Sequence, residues 1–252
     1  CLARSSLSLP NDARHRRERI CLDAAKELWT DDKSTLTLAA VLRTCRKLGD
    51  KDSGIQFYEE GRLRQVNDRA CDLVAASLYR RANKTAEALA AAAPWQETSD
   101  VLTANTIASL YRDVGRPEKS QTVLSPHIQK IMSGRVRPPE GWKMAFNSYL
   151  AASLDRHLPE SAAKPAAFLL KADDGHAVTS LNALLVARDL PSDDPDREEI
   201  VEVASLALKS APLVGDAARA FAVLCEIRGD TKNASEVLKT YCEDLESASN
   251  KR

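Results

Sequence analysis

The 252-residue sequence is poor in aromatic residues, in glycine and in long apolar runs. Aromatic residues make up 5% of it, glycine occurs nine times, and alanine and leucine carry most of its 44% apolar share. Since alanine and leucine are strong helix formers, this composition favours an all-α protein. The longest apolar run, residues 88–93, is too short to cross a bilayer, so no membrane insertion is expected.

Charge of either sign is not in excess, because Lys plus Arg and Asp plus Glu both total 36. Bulk charge therefore does not hold this protein to nucleic acid or to a membrane. The balance conceals an asymmetry: residues 1–150 contain 24 basic and 18 acidic residues, whereas residues 151–252 contain 12 and 18. Such a difference between halves is a hint about partners.

Recognisable catalytic and metal-binding patterns are missing from the sequence. It has no GxSxG, HExxH, Walker or GxGxxG motif, and its four histidines are scattered. No two of the six cysteines have CxxC spacing, so they are expected to be free, buried thiols in a reducing compartment. The sequence therefore predicts no enzyme activity, no metal site and no cofactor.

The first 34 residues are expected to form an extension with one helix, around residues 12–29. Residues 1–10 contain one arginine and three serines but no acidic residue, which is typical of organellar targeting segments. We therefore expect a location in the mitochondrion or a plastid.

An internal repeat organises the rest of the chain. Similar segments combine an apolar stretch of helical spacing, a glycine (Gly49, Gly115 or Gly229) and a polar turn. Asn83 takes the place of the glycine in a further copy. A glycine directly after an apolar helix typically ends it, because glycine readily adopts a left-handed conformation. Six units of roughly 32–42 residues, counted on the sequence, tile residues 35–248.

Each unit is expected to be a pair of helices. Apolar residues recur at i, i+3, i+4 and i+7, as in Leu38, Val41, Leu42 and Cys45. One helix pair cannot bury its apolar stripe alone, so the pairs are expected to stack as an α-solenoid over residues 35–248. Residues 133–142 are a predicted hinge, and residues 249–252 form a tail.

The repeats resemble the pentatricopeptide repeat family, with the tetratricopeptide family as second choice. In residues 35–61 the resemblance is carried by Leu42, Cys45, Leu48, Gly49, Asp50 and Gly54. Residues 178–185 resemble the opening of the family's motif, which contains an asparagine. The offset of 35 residues between Asn147 and Asn182 equals the family's period. The resemblance implies a right-handed solenoid of about six helix-turn-helix repeats.

Members of that family read single-stranded RNA with two or three side chains per repeat. The resemblance therefore implies Asn105, Asn147 and Asn182 as RNA-reading candidates, because an amide can match a base edge. An asparagine near a helix start is also a common N-cap. A nearby basic strip would contact phosphates; its members are Arg112, Arg116, Lys119, Lys130, Arg135 and Arg137.

Two functions follow as expectations. The first is a non-catalytic structural or scaffold subunit of a large organellar assembly, such as a ribosome or membrane complex, whose partners are other protein subunits and rRNA. The second is an organellar RNA-binding protein that reads bases through the repeat asparagines. The neutral charge and the partly degraded motif favour the scaffold.

Overall fold

A computed structural model describes residues 11–66, 68–172, 177–209 and 215–249. Within those ranges the chain forms thirteen α-helices and no β-strand, which confirms the all-α class. The helices are α1 (Asn11–Asp31), α2 (Thr35–Leu48), α3 (Lys51–Leu63), α4 (Arg69–Arg81), α5 (Thr85–Ala92), α6 (Val101–Asp113), α7 (Pro117–Met132), α8 (Trp142–Asp155), α9 (Ala163–Ala172), α10 (Ala177–Asp189), α11 (Pro195–Leu208), α12 (Asp216–Ile227) and α13 (Thr231–Ser249).

The chain divides into two compact units, residues 1–98 and residues 99–252. The first unit contains α1–α5 and the second contains α6–α13. The division lies between residues 98 and 99, whereas the segment predicted as a hinge, 133–142, connects α7 to α8 within the second unit. The predicted tail lies outside the described residues except for Ser249, which ends α13.

The repeat turns predicted from sequence have the expected backbone. Gly49, Asn83, Gly115 and Gly229 have φ values of 74°, 59°, 71° and 76°. After each, the next residue's N–H bonds to the carbonyl five positions before it, as Arg116 does to Tyr111 at 2.8 Å. These bonds satisfy carbonyls at the helix ends, so the four predicted stops are confirmed. His157, with φ 54°, ends α8 in the same way without a sequence signal.

Carboxylate and hydroxyl side chains begin several of the helices. Asp100 accepts a hydrogen bond from the Thr103 amide at 3.1 Å, and Asp68 accepts one from the Cys71 amide at 2.9 Å. Each bond satisfies one of the amides that have no partner inside the helix. Local sequence therefore sets both ends of many of these helices.

The core of the first unit forms where α2 packs against α1, α3 and α4. Trp29 of α1 is 1% exposed and its indole N–H donates to Glu60 of α3 at 3.0 Å. The predicted extension is therefore part of the first unit's packing. Gly61 of α3 lies against the Leu38 side chain, and a Cβ at Gly54 would lie 2.6 Å from Leu78 Cδ1. Glycine thus allows α3 to approach its neighbours closely.

In the second unit, the first helices of successive pairs lie side by side. Helix α6 packs against α8, α8 against α10, and α10 against α12, while α7, α9, α11 and α13 each pack against the helix that precedes them. The core between them contains the stacked rings of Phe146 and Phe168, with centroids 5.5 Å apart, and Trp142 edge-on to Phe146 at 5.2 Å. This packing presents one face of α6, α8 and α10 as a continuous surface.

Candidate binding groove on α6, α8 and α10

The three asparagines predicted as a set lie at matching heights on adjacent helices. Asn105 is the fifth residue of α6, and Asn147 and Asn182 are each the sixth residue of α8 and α10. They do not cap these helices, because the N-cap of α6 is Asp100 and that of α8 is Gly141. The capping interpretation is therefore wrong for Asn105 and Asn147.

Two of these amides hydrogen bond to each other. Asn182 Nδ2 donates to Asn147 Oδ1 at 2.8 Å, which joins α10 to α8. Asn147 Nδ2 in turn donates to the Lys143 carbonyl at 3.1 Å and to Thr179 Oγ1 at 3.3 Å. Both amides are therefore used inside the protein, which leaves them less available for reading a base.

Asn105 differs from the other two asparagines. Its side chain is 7% exposed, and its Oδ1 atom has no hydrogen-bond partner among the described residues. The backbone carbonyl of Asn105 accepts a bond from Ser109 Oγ at 2.9 Å, so the main chain is satisfied while the side-chain acceptor is not. A buried acceptor without a partner is rare in folded proteins.

Asn105 and Asn147 line a groove with a volume of about 430 Å³. Its walls include Asn105, Ser109, Lys143, Met144, Asn147 and Val178. Among the described residues that line it, Lys143 is the only charged one. Met144 is 59% exposed and Val178 is 38% exposed, so the surface of the groove combines apolar area with amides and hydroxyls.

Sequence reasoning missed Lys143, Met144 and Val178, although a signal for them exists. Lys143 and Val178 each lie four residues before the asparagine of their helix, and Met144 lies three before its own. Side chains at these spacings lie on the same helix face, so each belongs with its asparagine. Leu102, three residues before Asn105 and 40% exposed, occupies the same place on α6.

The six basic residues predicted as one strip form two groups in the structure. Arg112, Arg116 and Lys119 lie where α6 turns into α7, and Lys130, Arg135 and Arg137 lie at and beyond the other end of α7. About 16 Å of helix separates Lys119 from Lys130 at 1.5 Å per residue. None of the six is among the residues that line the groove, so phosphate contact by these side chains stays a prediction.

Some of those cations already have partners in the protein. Arg112 forms an ion pair with Asp155 of α8 at 2.7 Å, and Lys119 Nζ lies 5.6 Å from the centre of the Tyr111 ring. Contact with a phosphate would compete with these interactions.

A second polar site lies in the first unit, between α3, α4 and α5. Asp72 is 5% exposed and accepts hydrogen bonds from the Tyr58 hydroxyl at 2.7 Å and the Trp95 indole N–H at 2.9 Å. Tyr79 donates to Glu59 at the same cavity, whose volume is about 270 Å³. These bonds satisfy the buried carboxylate and connect α3 and α4 to the 3-10 turn that follows α5, which is a structural role.

The environment of this cavity keeps its phenols protonated. Burial, and after it the hydrogen bond to Asp72, raises the pKa of Tyr58 well above its usual range. Burial and the neighbouring Glu59 likewise raise the pKa of Tyr79. Both tyrosines therefore act as hydrogen-bond donors at neutral pH.

Three of the cysteines are buried in the protein. Cys45, Cys71 and Cys225 are buried free thiols, whereas Cys242 is exposed. Burial raises the pKa of Cys45 to about 11 and that of Cys71 to about 12, which disfavours the reactive thiolate. In the described ranges, no group of three or more histidine, cysteine, aspartate or glutamate side chains is placed to hold a metal ion.

Among the described residues, no helix combines the length and apolar character needed to cross a membrane.

No protein-family model matches the sequence, and no curated protein matches it either. Among solved structures, BtubC (BKLC) from P. vanneervenii is similar to this chain with a TM-score of 0.48 and 12% identity, over 95% of this chain and 92% of that chain. A likeness at this level assigns no family.

Proposed function

We propose that this protein is a non-catalytic helical repeat scaffold that binds another protein through the groove on α6, α8 and α10. The observation that carries the proposal is the groove itself, which combines exposed Met144 and Val178 with the unsatisfied acceptor of Asn105. Exposed apolar area beside polar groups that lack partners is typical of surfaces that bind other proteins.

The finer parts of the proposal rest on the sequence. Six helix pairs with a period near 35 residues support a right-handed solenoid similar to pentatricopeptide proteins. The composition of residues 1–10 supports a place in a large mitochondrial or plastid assembly, such as a ribosome or membrane complex. In such a subunit, the repeat stack is a rigid surface for neighbouring proteins.

Single-stranded RNA is the second candidate for the groove. The position of Asn105 and Asn147 on the walls favours it, and Lys143 beside them could contact a phosphate. The bond between Asn147 and Asn182 argues against it, because a base would have to replace that bond. Affinity for RNA also depends strongly on the number of phosphates neutralised, and the groove is lined by few cations.

Site-specific photo-crosslinking tests the proposal in the cells that make the protein. A benzophenone amino acid replaces Met144 in the groove, or Leu206 of α11 as the control, since the two side chains are 59% and 58% exposed. We expect adducts at position 144 that contain one recurrent protein, resist RNase and are missing at position 206. Adducts that disappear on RNase treatment would instead support RNA, and equal adducts at both positions would contradict a specific groove.

A further inference from the structure

The side-chain oxygen of Asn105 accepts no hydrogen bond from the residues that the structure describes. Asn182 and Asn147 donate along their own row, to Asn147 Oδ1 and to the Lys143 carbonyl, and this chain of bonds does not include Asn105. The Ser109 hydroxyl donates to the backbone carbonyl of Asn105, not to its side chain. The side-chain oxygen of Asn105 therefore has no donor, whereas Asn147 and Asn182 bond to each other.

Two other buried oxygens without a partner, Ser120 Oγ and Ser180 Oγ, occur among the described residues. Both serines are 0% exposed, and neither lines the groove. A serine hydroxyl on a helix can rotate toward the carbonyl one turn before it, so such an oxygen can be satisfied within the helix. Asn105 lines the groove, and the Cβ–Cγ torsion of an amide side chain is broad enough for its buried oxygen to turn to the groove surface.

We infer that the groove binds an extended polypeptide segment, and that one backbone N–H of that segment donates to Asn105 Oδ1. This inference rests on the proposed function, since it names the partner of the same groove. An extended segment fits because its backbone N–H groups are free, whereas those of a helix are used internally. Its apolar side chains would cover Met144 and Val178, the exposed apolar residues of the walls.

Recognition through the main chain requires a backbone N–H at one position of the ligand. Replacing one backbone N–H of the segment by N–CH₃ removes the donor without changing any side chain. A single net hydrogen bond changes affinity by about tenfold. The loss should occur at one position of the segment and should depend on residue 105.

The experiment uses the full chain and a phage-displayed library of random heptapeptides. Peptides that also bind a variant with a bulky benzophenone amino acid at position 144 are discarded, so that the selected peptides depend on an open groove. The tightest peptide is then resynthesised with each backbone N–H methylated in turn. Binding is measured to the native protein and to Asn105→Leu, with Asn105→Ala as a second variant in case leucine does not fit. Ser120→Ala is the control, because it removes a buried side-chain oxygen outside the groove.

We expect one methylated position to lose about tenfold in affinity for the native protein and to lose little further for Asn105→Leu, which itself binds about tenfold more weakly. Asn105→Leu should raise the melting temperature of the free protein, because it removes a buried acceptor that has no donor, and should at the same time weaken binding. Ser120→Ala should leave binding unchanged. A purely structural asparagine would not separate these two readouts.

The outcomes distinguish the inference from the proposed function. Selection of no groove-dependent peptide would overturn both. A groove-dependent peptide whose methylation scan is flat, or whose affinity is equal for Asn105→Leu, overturns the inference and leaves the scaffold in place. Random single-stranded RNA that binds in an Asn105-dependent manner and displaces the peptide would overturn the inference in favour of a nucleic acid.

Discussion

Asn182 donates its side-chain amide to Asn147 at 2.8 Å, and the two residues are 35 positions apart in the chain. One repeat period therefore separates the two ends of a hydrogen bond between α8 and α10. Because each asparagine occupies the same place in its repeat, the packing of successive first helices brings them together. The same residues that the sequence suggests for reading RNA connect the repeats to each other.

The bond between Asn147 and Asn182 is expected to stabilise the second unit. Replacing either residue by alanine should lower the free energy of unfolding by about 1 kcal/mol, the net value of a typical hydrogen bond. The double variant should lose less than the sum of the two, since both single changes remove one interaction. Urea denaturation of the four proteins measures this, and strictly additive losses would show that the amides are not coupled.

Gly61→Ala should destabilise the first unit, although alanine normally favours a helix. A Cβ at position 61 would collide with the Leu38 side chain, and overpacking of this kind costs about 1–3 kcal/mol. In the background of Leu38→Ala, which leaves room, the same glycine change should cost much less. Urea midpoints of the single and double variants test the collision, and a stabilising Gly61→Ala would refute it.

Tyr58→Phe should lower the free energy of unfolding by about 1.5–3 kcal/mol. The hydroxyl donates to the buried Asp72 carboxylate, and losing it leaves that charge with one donor fewer. Tyr149→Phe is the control, because its hydroxyl contacts the Ser161 carbonyl only at 3.5 Å. Equal losses in the two variants would show that the bond to Asp72 adds no more to the free energy of unfolding than the long contact of Tyr149 does.

Alkaline pH should weaken the first unit. Burial raises the pKa of Cys45 to about 11 and that of Cys71 to about 12, whereas an unfolded thiol titrates near about 8.5. Folding therefore favours the protonated thiols: their contribution is complete below about pH 8.5 and is lost as pH rises through the folded values. Urea unfolding at pH 7.5 and about pH 10.5, followed by Trp fluorescence, should show the decline, and Cys45→Ala with Cys71→Ala should reduce it. A flat profile in the native protein would contradict it.

Asn83→Gly should stabilise the turn after α4. Asn83 has φ 59°, a conformation that costs a non-glycine residue up to about 1 kcal/mol, and glycine removes that strain. Gly115→Ala, at φ 71° in the corresponding turn, should cost a similar amount. Opposite shifts of the melting temperature are expected, and shifts of the same sign would rule out this account.

The local organisation of the fold could be predicted from the sequence. The turns at Gly49, Asn83, Gly115 and Gly229 were predicted because a left-handed residue after an apolar stretch ends a helix through its own backbone. The helix pairs followed from apolar periodicity within short windows. These properties involve residues a few positions apart, so the sequence shows them directly.

The candidate site was predicted only in part. The shared face of Asn105, Asn147 and Asn182 follows from the repeat period, but the period does not say which amides bond to each other and which is left without a donor. The basic residues near one another in sequence were separated because α7 is about 24 Å long and places them at opposite ends. The division between residues 98 and 99 had no compositional signal.

Composition, periodicity and turn residues specify an all-helical repeat chain, because helices and their ends depend on neighbouring residues. Packing of α6, α8 and α10 determines the contacts between helices. Asn147 bonds to Asn182, Arg112 forms an ion pair with Asp155, and Asn105 is a buried acceptor on the wall of a groove. Those pairings depend on distances between helices that are 30 or more residues apart, to which no local pattern is sensitive.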